Sequence, residues 1–423
     1  RYGITKDDLF EHPRVLSIPA VTVENRAMLL KEIGFTSVRP NHLTRFVVLM
    51  HKRVKLCKTY GYISNDIEVH KNIFTHLKNP PPPLELSNYE DLDLLKVYLA
   101  AQSHYLCWRL EMSKEELASL MNIYPRFKHR SFRLMESSMN ILEEELGFTK
   151  DKIKRNGFLI HCYPQNILDM IREVQFLGGM EIKEVLKKHP KIMMMPLDTV
   201  LKTDTYLKDF GISNEAIQKC PDVYTLSCET VNERLQALQS VPEFMALIKN
   251  PRILRLLHYQ RKAFSRLSQL EKMKIKCVSL NLLQSSQLMF DKFLSSGYEK
   301  FCNTDVLIFL SKELNCEKKK LKKSLSKNQF WCNIPLVSVH ETLNLLRSKG
   351  FTEEQILSNV QILLYSSKQV KRQLEEFLYH PEVNKELSRQ MVLRNDDKIE
   401  FSNQQKLALC LYFMERDHHF SGD

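Results

Sequence analysis

Apolar residues in this chain recur at intervals of three and four, the period of a helix buried on one side. In residues 229–238, Val231, Leu235 and Leu238 alternate in this way with Glu229, Asn232, Glu233 and Gln236, and strand-like alternation is scarce anywhere in the chain. The pattern predicts an all-α protein. Its punctuation is regular. Gly147, Gly179 and Gly211 stand 32 residues apart in succession, and Gly3 and Gly34 stand 31 apart. Six positions after Gly3, Gly61, Gly147, Gly179, Gly211 and Gly350 comes an aliphatic residue: Leu9, Ile67, Ile153, Val185, Ile217 and Ile356. Pro13, Pro190 and Pro221 follow at ten or eleven. Upstream, Val23, Val200 and Val339 precede Gly34, Gly211 and Gly350 by eleven residues, with Leu30, Leu207 and Leu346 four ahead.

These coincidences define a repeating unit of about 30 residues. A helix ends at glycine, which supplies the left-handed residue past its last turn. A short second helix opens on polar residues (Thr149-Lys150-Asp151, Ser213-Asn214-Glu215, Thr352-Glu353-Glu354), and proline breaks it before another helix. Such helix pairs cannot bury their apolar faces alone, so they are expected to stack into a curved solenoid with an extended concave surface. Residues 80–83, a run of four prolines, form a stiff spacer between repeats 1–79 and a main array 84–423. A lysine run at 318–323 is a second interruption.

Composition narrows the functional classes. Lys and Arg total 62 against 50 Asp and Glu, a net charge of +12 carried as +5 on residues 1–211 and +7 on the rest, which favours a polyanionic partner. Eleven glycines in 423 residues leave few for phosphate-cradling loops or tight hairpins. The ten cysteines show no CxxC pair, so free thiols in a reducing compartment are expected, without disulfides or structural zinc. Apolar runs such as Phe46-Val47-Val48-Leu49-Met50 fall far short of the roughly 20 residues needed to span a bilayer. A first residue Arg1 in place of Met suits either a trimmed chain or a mature form that has lost a targeting peptide.

Candidate binding residues are arginine and lysine at helical spacing. Arg252, Arg255, Tyr259, Lys262 and Arg266 recur at 3, 4, 3 and 4, one face of a helix over residues 252–267 with an aromatic ring at its centre. Arg126, Arg130 and Arg133 follow Pro125 at spacings of 4 and 3, with Tyr124 and Phe127 beside them. Lys187, Lys188 and Lys191 flank Pro190, where they would meet phosphates without reading bases. Lys319, Lys320, Lys322 and Lys323 supply charge density without an aromatic, and Lys371-Arg372 with Lys368 is a smaller group of the same kind. For any one of these runs a solvated helix face is the plain alternative.

Catalytic signals are poor. His340-Glu341-Thr342-Leu343-Asn344 approaches the HExxH zinc motif, but Asn344 replaces the second ligand. There is no P-loop and no GxSxG, and Asp417-His418-His419 lies at a terminus unsuited to holding a metal. The expectation is a protein without enzymatic activity, cofactor or metal.

The unit resembles the repeat of the mitochondrial transcription termination factor (mTERF) family, most clearly in Leu146-Gly147-Phe148-Thr149, in Gly179-Met180-Glu181-Ile182 through His189-Pro190, in Phe210-Gly211-Ile212-Ser213 through Cys220-Pro221, and in Asn250-Pro251-Arg252-Ile253-Leu254. It departs from the pattern where Lys71 and Gln361 stand near expected prolines, in residues 84–125, which lack the glycine, and over 268–335. The resemblance implies a left-handed superhelix in the mitochondrial matrix, within the nucleoid. Its concave basic face would lie along double-stranded mitochondrial DNA and regulate termination or promoter-proximal initiation of transcription. Partners it implies are the transcription machinery, another member of the family, or ribosomal RNA in a ribosome-assembly role with a methyltransferase docked on the C-terminal segment. A protein-binding scaffold is the reading from another class. No membrane partner is expected.

Overall fold

The computed structural model describes residues 5–273, 275, 279–295, 304–328, 330–377, 383 and 401–421, with the side chains of residues 126, 127, 243, 333 and 417–421 excepted. The chain is helical almost throughout and forms two compact units, 1–201 and 202–423. The described exception is a two-stranded antiparallel hairpin, Phe176–Leu177 with Met180–Glu181. Its turn, Gly178-Gly179, holds positive φ at both residues, the geometry that matches the right-handed twist of a hairpin and that glycine adopts without strain.

The repeating unit is built as its residues dictate, with one element beyond expectation. Leu336–Ser348 shows it fully. The chain passes through Gly350 at φ 82°, the N–H of Phe351 bonds back to the carbonyl of Leu346 at 3.2 Å, and the Phe351 ring is buried against the helix end. Thr352 then caps Glu353–Ser358 by accepting from the Gln355 N–H, while the Gln355 side chain accepts from the Thr352 N–H. Ser213 and Thr149 cap Asn214–Lys219 and Lys150–Arg155 in the same slot. The proline that follows does more than stop this helix. It begins a five-residue 3-10 helix, as in Pro13–Ser17, Pro190–Met194 and Pro221–Thr225. Gly157–His161 and Val360–Leu364 fill the same place without proline, so Gln361 sits one residue into a complete 3-10 turn.

What closes the short third element is a side chain from the long helix before it. The seventh residue of Phe132–Glu144, Ser138, donates its hydroxyl to the Cys162 carbonyl at 2.8 Å. The seventh of Leu336–Ser348, Thr342, donates to the Tyr365 carbonyl at 2.9 Å. Arginines do the same in Ala20–Ile33, Cys228–Gln239 and Gln260–Lys272: Arg26 reaches Leu43, Arg234 reaches Leu257, and Arg266 reaches Leu282 and Leu283. The last carbonyls of a helix have no partner within it, so a buried end needs a donor from elsewhere.

In the first unit the centre is aromatic. Phe132 is surrounded edge-on by Tyr98, Tyr105 and Phe74 at ring distances of 5.0, 5.4 and 5.7 Å. Two buried carboxylates join segments distant in sequence. Glu32 accepts from the Ser131 hydroxyl at 2.6 Å and from the N–H groups of Phe132 and Arg133 at 3.0 Å each, so an acidic side chain from one helix caps the N-terminus of another. Glu136 accepts from the N–H groups of Lys78 and Asn79 just ahead of the prolines, and the Pro82 carbonyl pairs with the His104 ring nitrogen at 2.8 Å. In the second unit, buried Asp305 accepts from the Asn250 side chain and from the Leu280 N–H, each at 2.9 Å. Glu313 is clasped by Lys249 and Arg347 at 2.5 and 2.7 Å. The final described helix, Asn403–Ser421, packs Leu407, Cys410, Phe413 and Met414 into this unit.

Candidate nucleic-acid interface

Residues 252–267 are not one helix. The chain forms Leu254–His258, breaks at Tyr259 (φ −107°, ψ 32°) and restarts as Gln260–Lys272. The first piece is the short third element of one repeat and the second is a long helix of the array, so the five residues of the stripe divide between two environments. Arg266 is 3% exposed. Its guanidinium donates to the carbonyls of Leu282, Leu283, Ser285 and Ser286 and to the Gln287 side chain, at 2.8 to 3.3 Å, and lies over the Phe290 ring at 4.4 Å. Lys262, half-buried, donates to the same Ser285 carbonyl. Desolvation, with a smaller contribution from Arg266, pulls the Lys262 ammonium below the usual lysine range. These two cations hold the chain turn after Leu280–Gln284.

Arg252, Arg255 and Tyr259 remain outside. Arg252 is exposed and makes one side-chain bond, to the Asn281 side chain at 2.9 Å. Arg255 is exposed and has no acidic or hydrogen-bonding side-chain partner among the described residues. The Tyr259 ring is 51% exposed, with its neighbour His258 edge-on at 4.9 Å. Arg261, exposed on the next turn and also without a described partner, joins this group although the spacing did not select it.

The other candidates also separate. Arg130 is buried and donates to the Cys162 carbonyl at 2.6 Å, beside the hydroxyl of Ser138, while Arg133 is exposed. Arg126 belongs to the 3-10 turn Pro125–His129, and its side chain lies outside the described residues. Lys187 and Lys188 both face Glu184, at 3.5 and 3.9 Å, whereas Lys191 is exposed. Lys319, Lys320, Lys322 and Lys323 lie on Lys318–Leu325, whose Leu321 and Leu325 are buried while the lysines stay in solvent without a described acidic partner. Lys371 approaches Glu375 at 3.9 Å, and Arg372 is exposed on the same helix.

The residues considered for chemistry have structural roles or lie beyond description. The Asn344 amide contacts the His340 ring nitrogen at 3.2 Å on an ordinary amphipathic helix. The side chains of Asp417, His418 and His419 are outside the described residues. Burial pushes the thiols of Cys57 and Cys220 up to about 11, and those of Cys162 and Cys410 up to about 12, which suits packing and not nucleophilic work. No helix among the described residues is long and apolar enough to cross a membrane.

The mTERF family model matches residues 168–291, which include the Leu254–His258 turn and its exposed cations. Transcription termination factor 5, mitochondrial, of Drosophila melanogaster is 34% identical over 419 residues, covering 99% of this chain and 74% of the relative. The chain belongs to the mTERF family. The similarity spans the stretches with degenerate punctuation, residues 84–125 and 268–335, as well as the regular ones. No solved structure matches it.

Proposed function

We propose that this mTERF chain is a mitochondrial nucleic-acid-binding protein acting in transcription, and that it controls termination or promoter-proximal initiation by selective binding along double-stranded DNA in the matrix nucleoid. The observation that carries the reading is the exposed group of Arg252, Arg255 and Tyr259, two guanidinium groups and an accessible ring close in the chain, neither arginine in an ion pair among the described residues, inside the segment that matches the family model. Guanidinium groups neutralise phosphates and can fork onto guanine, while the ring offers a stacking surface. Lys191, Arg133, the Lys318–Leu325 lysines and Arg372 are further exposed cations suited to backbone contacts. The name of the 34% identical fly protein supports a role in mitochondrial transcription termination. The partners that suit the reading are mitochondrial DNA, the transcription machinery and another family member, and the action is binding without a catalytic step.

The test is fluorescence anisotropy of the purified chain on tiled duplexes of its mitochondrial genome, the matching RNAs and random duplex, across a salt series. One duplex tile bound at least about tenfold more tightly than random duplex is expected. Changing Arg252, Arg255 and Tyr259 together to Ala should weaken that binding about tenfold or more and reduce the slope of log K against log salt by about 2. An unchanged affinity and slope would remove the trio from the interface. Tighter binding to RNA would transfer the function to ribosomal RNA.

A further inference from the structure

At the start of the first unit the described residues enclose a second concentration of cations that the repeat pattern does not single out. A cavity of about 830 Å³ is lined by Arg14, Arg26 and Arg45 together with His12, Asn41 and Thr44, and Glu11 is the one carboxylate in its lining. None of the three arginines forms an ion pair among the described residues. Arg14 and Arg45 are exposed, and Arg26 is half-buried at the back, its guanidinium 5.3 Å from the centre of the Phe46 ring.

The state of Arg26 is the informative feature. It occupies the seventh position of its helix, where the fold requires one donor for the carbonyl of the following short element, and its Nη1 meets that requirement by bonding Leu43 at 2.6 Å. Ser138 and Thr342 do the same work with a single hydroxyl. Arg266 occupies this position too, but its nitrogens are saturated by carbonyls and a glutamine. The remaining N–H groups of Arg26 have no protein acceptor among the described residues. Burial holds its pKa below the usual arginine value, a sign of a cation partly stripped of water and left uncompensated.

We propose that this cavity binds a phosphate group carried by a nucleotide-sized ligand, with Arg26 as its floor and Arg14 and Arg45 as its clamps. Three guanidinium groups and the Asn41 amide offer more donors than the two oxygens of a carboxylate can accept, and they match the several oxygens of a phosphoryl group. The volume exceeds what inorganic phosphate fills and falls in the range of small-ligand sites. Two sources carry this chemistry: a free nucleotide, and a backbone phosphate of a bound nucleic acid. The assignment is independent of the Arg252–Arg255–Tyr259 reading.

The experiment measures binding of ATP and of inorganic tripolyphosphate by calorimetry, and of random duplex by anisotropy, to the full chain and to three variants whose fold is checked by circular dichroism. Arg14→Glu with Arg45→Glu alters the exposed clamps, Arg26→Lys keeps a donor for Leu43 but removes the fork, and Lys114→Glu with Arg155→Glu is a control of equal charge on exposed positions of the same unit. If the ligand is a free nucleotide, ATP and tripolyphosphate bind saturably, the clamp variant weakens both about tenfold or more, and the control changes them little. If it is a backbone phosphate, the free anions bind poorly and duplex affinity falls about tenfold in the clamp variant, again beyond the control, with a salt slope lower by about 2. Equal losses in the clamp variant and the control, or no loss in either binding assay, overturn the proposal. Failure of the Arg252 trio with success here, or the reverse, separates the two readings.

Discussion

Glu32 is buried where three donors converge, and the balance of forces on it sets a pH dependence. Desolvation raises its pKa to about 7, against the lowering effect of the Ser131 hydroxyl and the Arg133 and Phe132 N–H groups. In the unfolded chain the carboxyl titrates near the ordinary 4.5. Between these values the folded state binds the proton more tightly than the unfolded state does, so Glu32's contribution to stability is full below about pH 4.5 and is lost as pH rises through about 7. Spectroscopic urea titrations at pH 5 and pH 8 should therefore show a decline that Glu32→Gln removes, amounting to at most about 3 kcal/mol for a shift of this size. Other groups, such as Glu313, whose pKa is lowered by Lys249 and Arg347 despite burial, tilt stability the opposite way. The difference between the wild type and the variant isolates Glu32. Nothing in the sequence marks this residue. An acidic side chain at a surface-like position in Ala20–Ile33 becomes a buried cap only because Phe132–Glu144 begins against it, about 100 residues later.

At the scale of elements, the repeat was legible wherever its signals are local. Glycine past a helix end, Thr or Ser opening the next helix, and proline at the following turn act over a few residues, and Gly34, Gly147, Gly211 and Gly350 all hold positive φ as the spacing requires. Two things were not legible. The proline position carries a 3-10 helix, and the seventh residue of the long helix closes the short helix that follows it, 3-10 or α, across 16 to 24 residues of sequence. Arg255 and Arg266 look alike in the stripe at 252–266, yet one is exposed to solvent and the other is a buried cap. This difference is measurable. Arg266→Met should lower stability by about 3 kcal/mol or more, since several buried carbonyls lose their donor, whereas Arg255→Ala should leave the thermal midpoint unchanged while weakening nucleic-acid binding. Thr342→Val removes a single buried donor and should cost about 1 to 2 kcal/mol. Thermal melts of the three variants give that ranking, and equal midpoints for Arg266→Met and the wild type would refute the capping role.

For the whole molecule the governing quantity is charge. The net +12 is shared, +5 on residues 1–201 and +7 on residues 202–423, so each compact unit carries its own excess and no single tail accounts for it. Such a chain repels itself and gains from a bound polyanion. Duplex DNA at about 100 times its Kd should raise the unfolding free energy by about 2.7 kcal/mol in low salt, and about 1 M salt should abolish that gain as counterion release loses its driving force. Differential scanning calorimetry with and without duplex measures both. By itself the sequence determined the helical class, the period of the unit, its caps and breaks, the family and the sign of the charge, because each follows from composition or from contacts a few residues long. Only the tertiary structure decided which cations stay in solvent. Whether an arginine at helical spacing meets water or a row of unpaired carbonyls depends on which helix end is stacked against it, and that partner lies in a later segment, 16 to 32 residues on.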